Sequence, residues 1–449
     1  LKQIFLTSSL ISIDDNAFIN CDSITSIRIS LSGKMNDFTY TDLNRYSDYY
    51  SYGSRNRNYY SEKYERYSAD RSEKTECNSA WYKFHTKIKS VIIDEGLTSI
   101  GSFAFYNFSI LTSIEIPKSV SSIGVSAFQL CESLKSISIP NNVTSIGSSA
   151  FYCCKSLTYI NIPNKVISIS DKTFASCSSL ESIIIPNNVT SIGYCAFKDC
   201  GSLKSINIPN RMNSIESDAF NGCKSLSSII IPNNLSHFGS DIFYGCNSLK
   251  SVNIPNNAIS FGINPIGSGC PSLSTLNISG YGDMRAFSSP MSTPWNRINS
   301  QIITLNIKDE ITSISDYSFA DCQSLTTVNI FSNLIAIGFY AFTNCSSLRS
   351  INIPSTTISI GFHAFDHCIS LASIDIPSSV KWIGDYAFSY CRSLTSFTYR
   401  GLHQPICSKL VFYNTPLLVS INLYSNYDDM KFCGISSVYF NRINNTNNG

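Results

Sequence analysis

Thiols recur in this chain at a fixed interval. Cys131, Cys154, Cys177, Cys200, Cys223 and Cys246 stand 23 residues apart; the interval slips by one to Cys270 and resumes at Cys322, Cys345, Cys368 and Cys391. Such a series suggests metal or redox chemistry. If the interval stacks each Cys over the last at a strand spacing of about 4.8 Å, that spacing lies within the Cα range of a disulfide. Stacked side chains point the same way, however, whereas a disulfide needs converging Cβ vectors. Phe108 fills the slot one interval before Cys131, so the position accepts a side chain without thiol chemistry. The series reads as a buried, weakly polar filler.

The other candidates are fewer. His363-x-x-x-His367 with Asp366 is the one cluster with the flavour of a metal site. No third ligand stands at a fitting distance in sequence, so no metal is expected. His85, His237 and His403 stand alone. No Ser/His/Asp or Cys/His arrangement can be assembled, and there is no phosphate-binding glycine loop. Asp94-Glu95 and Asp309-Glu310 read as solvated turn residues and not as an acid/base pair. The expectation is a chain that is not an enzyme and carries no cofactor.

Stepping outward from the thiol, the unit that must position it is clear in residues 131–153. Leu134, Ile137 and Ile139 have the spacing of a short strand, with both isoleucines inward. Pro140 lacks a donor and stops the ladder, and Asn141-Asn142 make a turn. Val143 and Ile146 return along the opposite side. Gly147 is assigned a backbone conformation closed to most residues, and Ala150-Phe151 fill the interior before Cys154 begins again. Self-similarity at this period marks a solenoid, whose units bury their apolar faces only against neighbours.

Composition agrees. The 33 Lys and Arg against 31 Asp and Glu leave a formal charge of +2, which gives no electrostatic case for nucleic acid or an anionic membrane. No run of 18 apolar residues encodes a transmembrane segment. The first residue is Leu1 and the register is already running there, so the chain reads as starting in mid-repeat, with any targeting segment upstream.

Along the chain, residues 1–31 are truncated repeats and 32–86 leave the pattern. Tyr40, Tyr46, Tyr49, Tyr50, Tyr52, Tyr59, Tyr60, Tyr64 and Tyr67 mix there with charged residues and Ser, which reads as a mobile insertion projecting from one face. Repeats occupy 87–279, a second interruption covers 280–301, and repeats resume over 302–397. The two interruptions look like versions of one device. Trp81 precedes Ile93 by 12 residues and Phe105 by 24, and Trp295 stands in the same relation to Ile307 and Phe319. Each Trp is expected to pack over the edge of the following strand. Residues 398–440 lack the Ala-Phe pair and read as the divergent cap that a stack needs; 441–449 is a polar tail.

The pattern Cys-x-x-Leu-x-x-Ile-x-Ile-Pro-x-x-Val-x-x-Ile-Gly-x-x-Ala-Phe resembles the BspA-like, Treponema-type class of leucine-rich repeat over about two thirds of the chain. The ending, Phe397 to Gly401 through Tyr427 to Phe432-Cys433-Gly434, resembles the C-terminal module of BspA-like proteins of parasitic protists such as trichomonads. The resemblance implies an α/β-type, β-rich repeat solenoid: a leucine-rich-repeat superhelix with short concave parallel strands and irregular or short-helical convex segments. It also implies a cell-surface or secreted protein acting in adhesion. Pro265-Ile266 in place of Ala-Phe, and Ile314-Ser315 in place of Ile-Gly, question the regularity of the stack between 260 and 315. If the protein is extracellular, Cys407 and Cys433 are the pair to test for a bridge. Sequons at Asn142, Asn188 and Asn234 share one point of the turn after Pro.

The face expected to bind is the outward side of the strand. Ser138, Asn161, Asn207, Asn253, Asn277, Asn306, Asn329, Asn352 and Asp375 occupy matching positions, interrupted by Ile184 and Ile230. Small polar groups there suit a protein or glycan ligand, although they would equally keep an exposed sheet soluble. Tyr49, Tyr50, Tyr59 and Tyr60 of the insertion form the rival site, because Tyr offers large contact area at low entropy cost. Two functions follow: non-enzymatic surface recognition or adhesion, or an intracellular, cytoplasmic scaffold that uses the same face on a protein partner.

Overall fold

The computed structural model describes residues 2–7, 23–36, 82–256, 258, 260–308, 310–331, 333–436 and 440–443. It is a β-solenoid of parallel strands, and the only helices among these residues are short 3-10 turns. The convex segments therefore take the irregular form of the two expected. The chain divides into two compact units, Leu1–Leu203 and Lys204–Gly449.

In the first unit a forward ladder pairs Gln3–Thr7, Ser26–Ser30, Ser90–Ile93 and Ser113–Glu115 in parallel, and Ser136–Ile137, Tyr159–Asn161 and Ser182–Ile184 follow. The register puts each inward Ile on its own copy: Ile4 on Ile27, Ile27 on Val91, Val91 on Ile114. Pro140 then closes its turn, its carbonyl accepting from the Val143 amide at 3.0 Å. A return ladder that the sequence marks only as returning apolar residues proves to be a second set of parallel strands, Leu97–Ile100, Ser122–Ile123 and Ser145–Ile146.

The second unit repeats the plan. Its forward strands run Ser205–Asn207, Ser228–Ile230, Ser251–Pro255, Thr275–Ser279, Thr304–Ile307 and Thr327–Ile330, with a later set from Ser373–Ile376 to Phe440–Ile443. Its return strands include Tyr281–Asp283, Glu310–Ile314, Ala336–Ile337, Ser359–Ile360 and Trp382–Ile383.

The convex turns add a third set of inter-coil bonds. The amides of Ser149, Phe151 and Cys153 donate to the carbonyls of Asp171, Thr173 and Ala175 at 2.8–2.9 Å. Reaching that geometry puts Ser149 and Cys153 in the left-handed region, at φ 57° and 60°, and the same two positions repeat in other coils. This corrects the reading of Gly147. It has no positive φ; a Cβ there would lie 2.5 Å from the backbone nitrogen of Val125 and 2.6 Å from the Gly124 carbonyl carbon. The glycine is there for close approach of the preceding coil, and non-glycine residues carry the left-handed conformation.

Residues 280–301 break the repeat pattern and follow a break in the return ladder, which ends at Ser260–Phe261 and restarts at Tyr281–Asp283, while the forward ladder runs on. Tyr281–Asp283 pairs with Glu310–Ile314, and the extra length lies between that return strand and Thr304. Trp295 is 2 % exposed and stacks on Phe319 at 5.4 Å, and its Nε1 donates to the Ser318 carbonyl. It thus fills the Phe slot of its own coil instead of covering a strand edge. On either side of the Tyr-rich insertion, Gly33–Lys34 pairs with the return ladder and Ser26–Ser30 pairs directly with Ser90–Ile93. Tyr49, Tyr50, Tyr59, Tyr60 and Trp81 lie outside the described residues. Around 260–315 the irregularity that the sequence suggests is found in the return ladder, which splits and then shifts register between Gly282 and Asp283, while Ile266 stays buried and the Ile242 amide donates to the Pro265 carbonyl.

Candidate interaction face

The thiol series is interior. Cys131, Cys154, Cys177 and Cys200 are fully buried, and each Sγ donates to the carbonyl of a Phe 26 residues earlier, as in Cys177 to Phe151 at 3.2 Å. Burial pushes the Cys131, Cys154 and Cys177 thiols well above the ordinary range, Cys270 to about 11 and Cys391 to about 12. They are protonated donors capping a spare carbonyl lone pair.

The histidine cluster is likewise satisfied from within. Asp366 is nearly buried; one carboxylate oxygen lies 2.9 Å from His367 Nδ1 and accepts from Ser389 Oγ at 2.5 Å, and the other lies 3.2 Å from His363 Nδ1. His363 is sandwiched between Tyr340 and Tyr386 at 4.7 and 4.9 Å, and His367 stacks on Tyr390 at 4.3 Å. Among the described residues no group of three His, Cys, Asp or Glu side chains is placed to hold a metal. In the cap, Cys407 and Cys433 are joined by a disulfide, with Cα atoms 4.9 Å apart.

The outward row of the forward ladder is of two kinds. In the second unit Asn253, Asn277, Asn306 and Asn329 stand in register on adjacent strands. They are only half exposed, and the last three bond to one another. Asn329 Nδ2 donates to Asn306 Oδ1 at 2.8 Å, and Asn306 Nδ2 to Asn277 Oδ1 at 2.8 Å. Asn253 Nδ2 donates to the Ile231 carbonyl and to Ser279 Oγ. Asp375 is also engaged, by Arg400 Nε at 2.9 Å, and the Arg400 guanidinium lies 5.6 Å above the Tyr424 ring.

The remaining candidates are exposed and carry no such bonds. Asn161 lies beside Ile184 in the first unit, and Asn207 beside Ile230 in the second. Ile184 is 62 % exposed and Ile230 77 %. Ser138 and Asn352 are exposed. The two isoleucines that interrupt the row of small polar residues stand in register with it. So do two residues that the sequence pattern leaves out, Glu115, in register with Ser138, and Asn422, whose Nδ2 donates to Ser396 Oγ. Both occupy the same outward position of the coil, which is the signal that would have found them.

Stacked Leu-x-x-Ile-x-Ile coils with a polar outer row define a leucine-rich repeat protein, a protein-interaction fold. Residues 1–48, 71–181, 167–288 and 299–440 match the BspA type leucine rich repeat region, and the chain belongs to that family. A solved leucine-rich repeat protein from Bacteroides ovatus is 28 % identical, covers 82 % of this chain and 86 % of its own, and superposes with a TM-score of 0.50. A leucine rich cell surface protein from Faecalibacterium prausnitzii is 26 % identical over 75 % of this chain and 87 % of its own, with a TM-score of 0.36. One from Eubacterium ventriosum is 24 % identical over 65 % and 85 %, with a TM-score of 0.34. No curated protein matches. These three are bacterial, and a likeness of the ending to protist proteins is not shown among them.

Proposed function

We propose that the chain is a non-enzymatic recognition or adhesion protein of a cell surface, taking a host-matrix protein, a cell-surface protein or a glycan on the forward row. What carries the reading is Asn161. Its amide has no side-chain partner among the described residues, and it stands between exposed Tyr159 on its own strand and exposed Ile184 on the next. An unspent amide framed by an aromatic and an aliphatic side chain suits a peptide backbone or a sugar. The surface location is supported by the habit of BspA-type repeat proteins, which are typically surface-associated, and by the Cys407–Cys433 bridge, which belongs to an oxidising compartment. Among the described residues no helix is long and apolar enough to cross a membrane.

The test is adhesion of the full chain to immobilised matrix proteins and a glycan panel. Tyr159→Ala with Asn161→Ala is expected to weaken capture at least tenfold with an unchanged melting temperature. Unchanged capture would sink the assignment, and a loss caused instead by deleting residues 40–80 would move the site to Tyr49, Tyr50, Tyr59 and Tyr60.

A further inference from the structure

The outer side of the return ladder in the second unit departs from the rest of the chain. Three rows of side chains run there from coil to coil. The first reads Thr312, Ile335, Ile358, Lys381, linked by backbone bonds of 2.7–2.8 Å from each residue's amide to the carbonyl before it. The second reads Ser313, Ala336, Ser359, Trp382, with Ile406 bridged beyond it. The third reads Asp316, Phe339, Phe362, Asp385. Elsewhere the first row is mostly polar, as at Thr98, Thr144 and Thr190, and the third mostly small or polar, as at Ser102, Ser148 and Ser240; Val125, Ile167, Tyr194 and Ile263 are exceptions that do not extend along one row from coil to coil. Here it becomes aliphatic and aromatic, and it stays in water. Phe339 is 41 % exposed and Phe362 38 %, and Ile335, Ile358 and Ile406 are exposed as well. Trp382 braces both rings edge-on, at 6.0 and 5.1 Å. Scattered apolar residues on a surface need no explanation, but a contiguous rigid aromatic patch does.

The charges say what covers it. The aromatic row is closed at both ends by carboxylates. Asp316 spends one oxygen on the Phe339 amide and Asp385 one on Ser408 Oγ, so among the described residues each keeps the other for a partner. Lys381 ends a different row, and Arg285 lies one coil beyond Asp316. Three coil steps of about 4.8 Å put the two carboxylates about 14 Å apart. In an extended strand, residues i and i+4 lie about 13.6 Å apart on one face, with i+2 between them. We propose that this patch docks an extended segment of another protein with the pattern basic-x-apolar-x-basic. Its two cations would meet Asp316 and Asp385, and its apolar side chain would sit on Phe339 and Phe362. This surface is separate from the forward row, so the two assignments stand or fall independently.

The experiment presents the full chain with surface-tethered Lys-Thr-Leu-Thr-Lys. Its controls are Glu-Thr-Leu-Thr-Glu and the stretched Lys-Thr-Leu-Thr-Thr-Thr-Lys. The first peptide is expected to bind at least tenfold better than either control and to weaken as salt rises. Ile335→Thr with Ile358→Thr and Phe362→Ser, which installs the residues other coils carry, should lower that binding at least tenfold. Asp316→Asn with Asp385→Asn leaves the apolar patch in place and should abolish the preference for Lys over Glu, which keeps the test decisive should the triple variant fold poorly. Equal binding of the Lys and Glu peptides would overturn the proposal. So would dimerisation of the free chain that the triple variant abolishes, which would give the patch to a second copy.

Discussion

At the scale of the residue, two small side chains do different work from what their chemistry suggests. The ladder cysteines are donors to phenylalanine carbonyls inside an apolar stack, and burial holds their protons on. The sign of the consequence follows. A thiol raised above its ordinary value near 8.5 binds its proton more tightly in the folded chain than in the unfolded one. Stability from this source is therefore complete below about pH 8.5 and falls as pH climbs through the range that ends near 11 for Cys270 and 12 for Cys391. Melting temperature should drop between pH 9 and 11, and alkylation of the ladder thiols should track global unfolding; fast labelling of native protein at pH 8 would contradict this. Gly147 is the second case. Gly147→Ala must push two backbones apart, and a loss of about 1–3 kcal/mol in urea unfolding is expected. A left-handed glycine replaced by Ala would lose less and would not shift the neighbouring coil. The Ile and Leu positions were legible in the sequence because apolar periodicity reports burial directly. The glycine's reason was not, because inter-coil distance leaves no mark on one chain's spacing.

At the scale of the element, the asparagine ladder separates exposure from availability. Alternation along a strand shows which side chains point outward, but not whether neighbours on adjacent strands consume one another's hydrogen bonds. Asn277, Asn306 and Asn329 do so, and Asn161 and Asn207 do not. Asparagine holds the row in five succeeding coils from Asn253 to Asn352, a succession that was readable, but only the middle three are linked side chain to side chain. Asn306→Ala breaks two amide links at once and should cost about 1–3 kcal/mol. Asn161→Ala should stay within about 0.5 kcal/mol. Equal costs by chemical denaturation would mean that the ladder adds nothing. The Trp295 slot teaches a similar lesson. Its 24-residue spacing to Phe319 was visible, and the interruption around it hid that the spacing belongs to the ordinary Phe stack.

At the scale of the whole molecule, coils bond chiefly to the coil before and the coil after, so stability should be close to a sum over units and their contacts. Gly147→Ala should raise hydrogen exchange around residues 122–175 and leave residues 327–399 as protected as before; a uniform rise would show one cooperative block. The cap is the exception, because Cys407–Cys433 closes a loop of 26 residues over the last coils. Reduction should lower stability by about 3 kcal/mol and expose Phe397 and Phe432, read as faster exchange confined to the C-terminal strands.

The same bond has a mechanical meaning. Inter-coil hydrogen bonds lie along the stack, so tension on the two ends of the chain would open them one rung after another, as a zipper opens. Each released coil of 23 residues would add about 80 Å of slack. A chain built this way, holding a partner in flowing fluid, would pay out length in steps instead of letting go. The covalent clasp at residues 407 and 433 would force that unravelling to begin elsewhere.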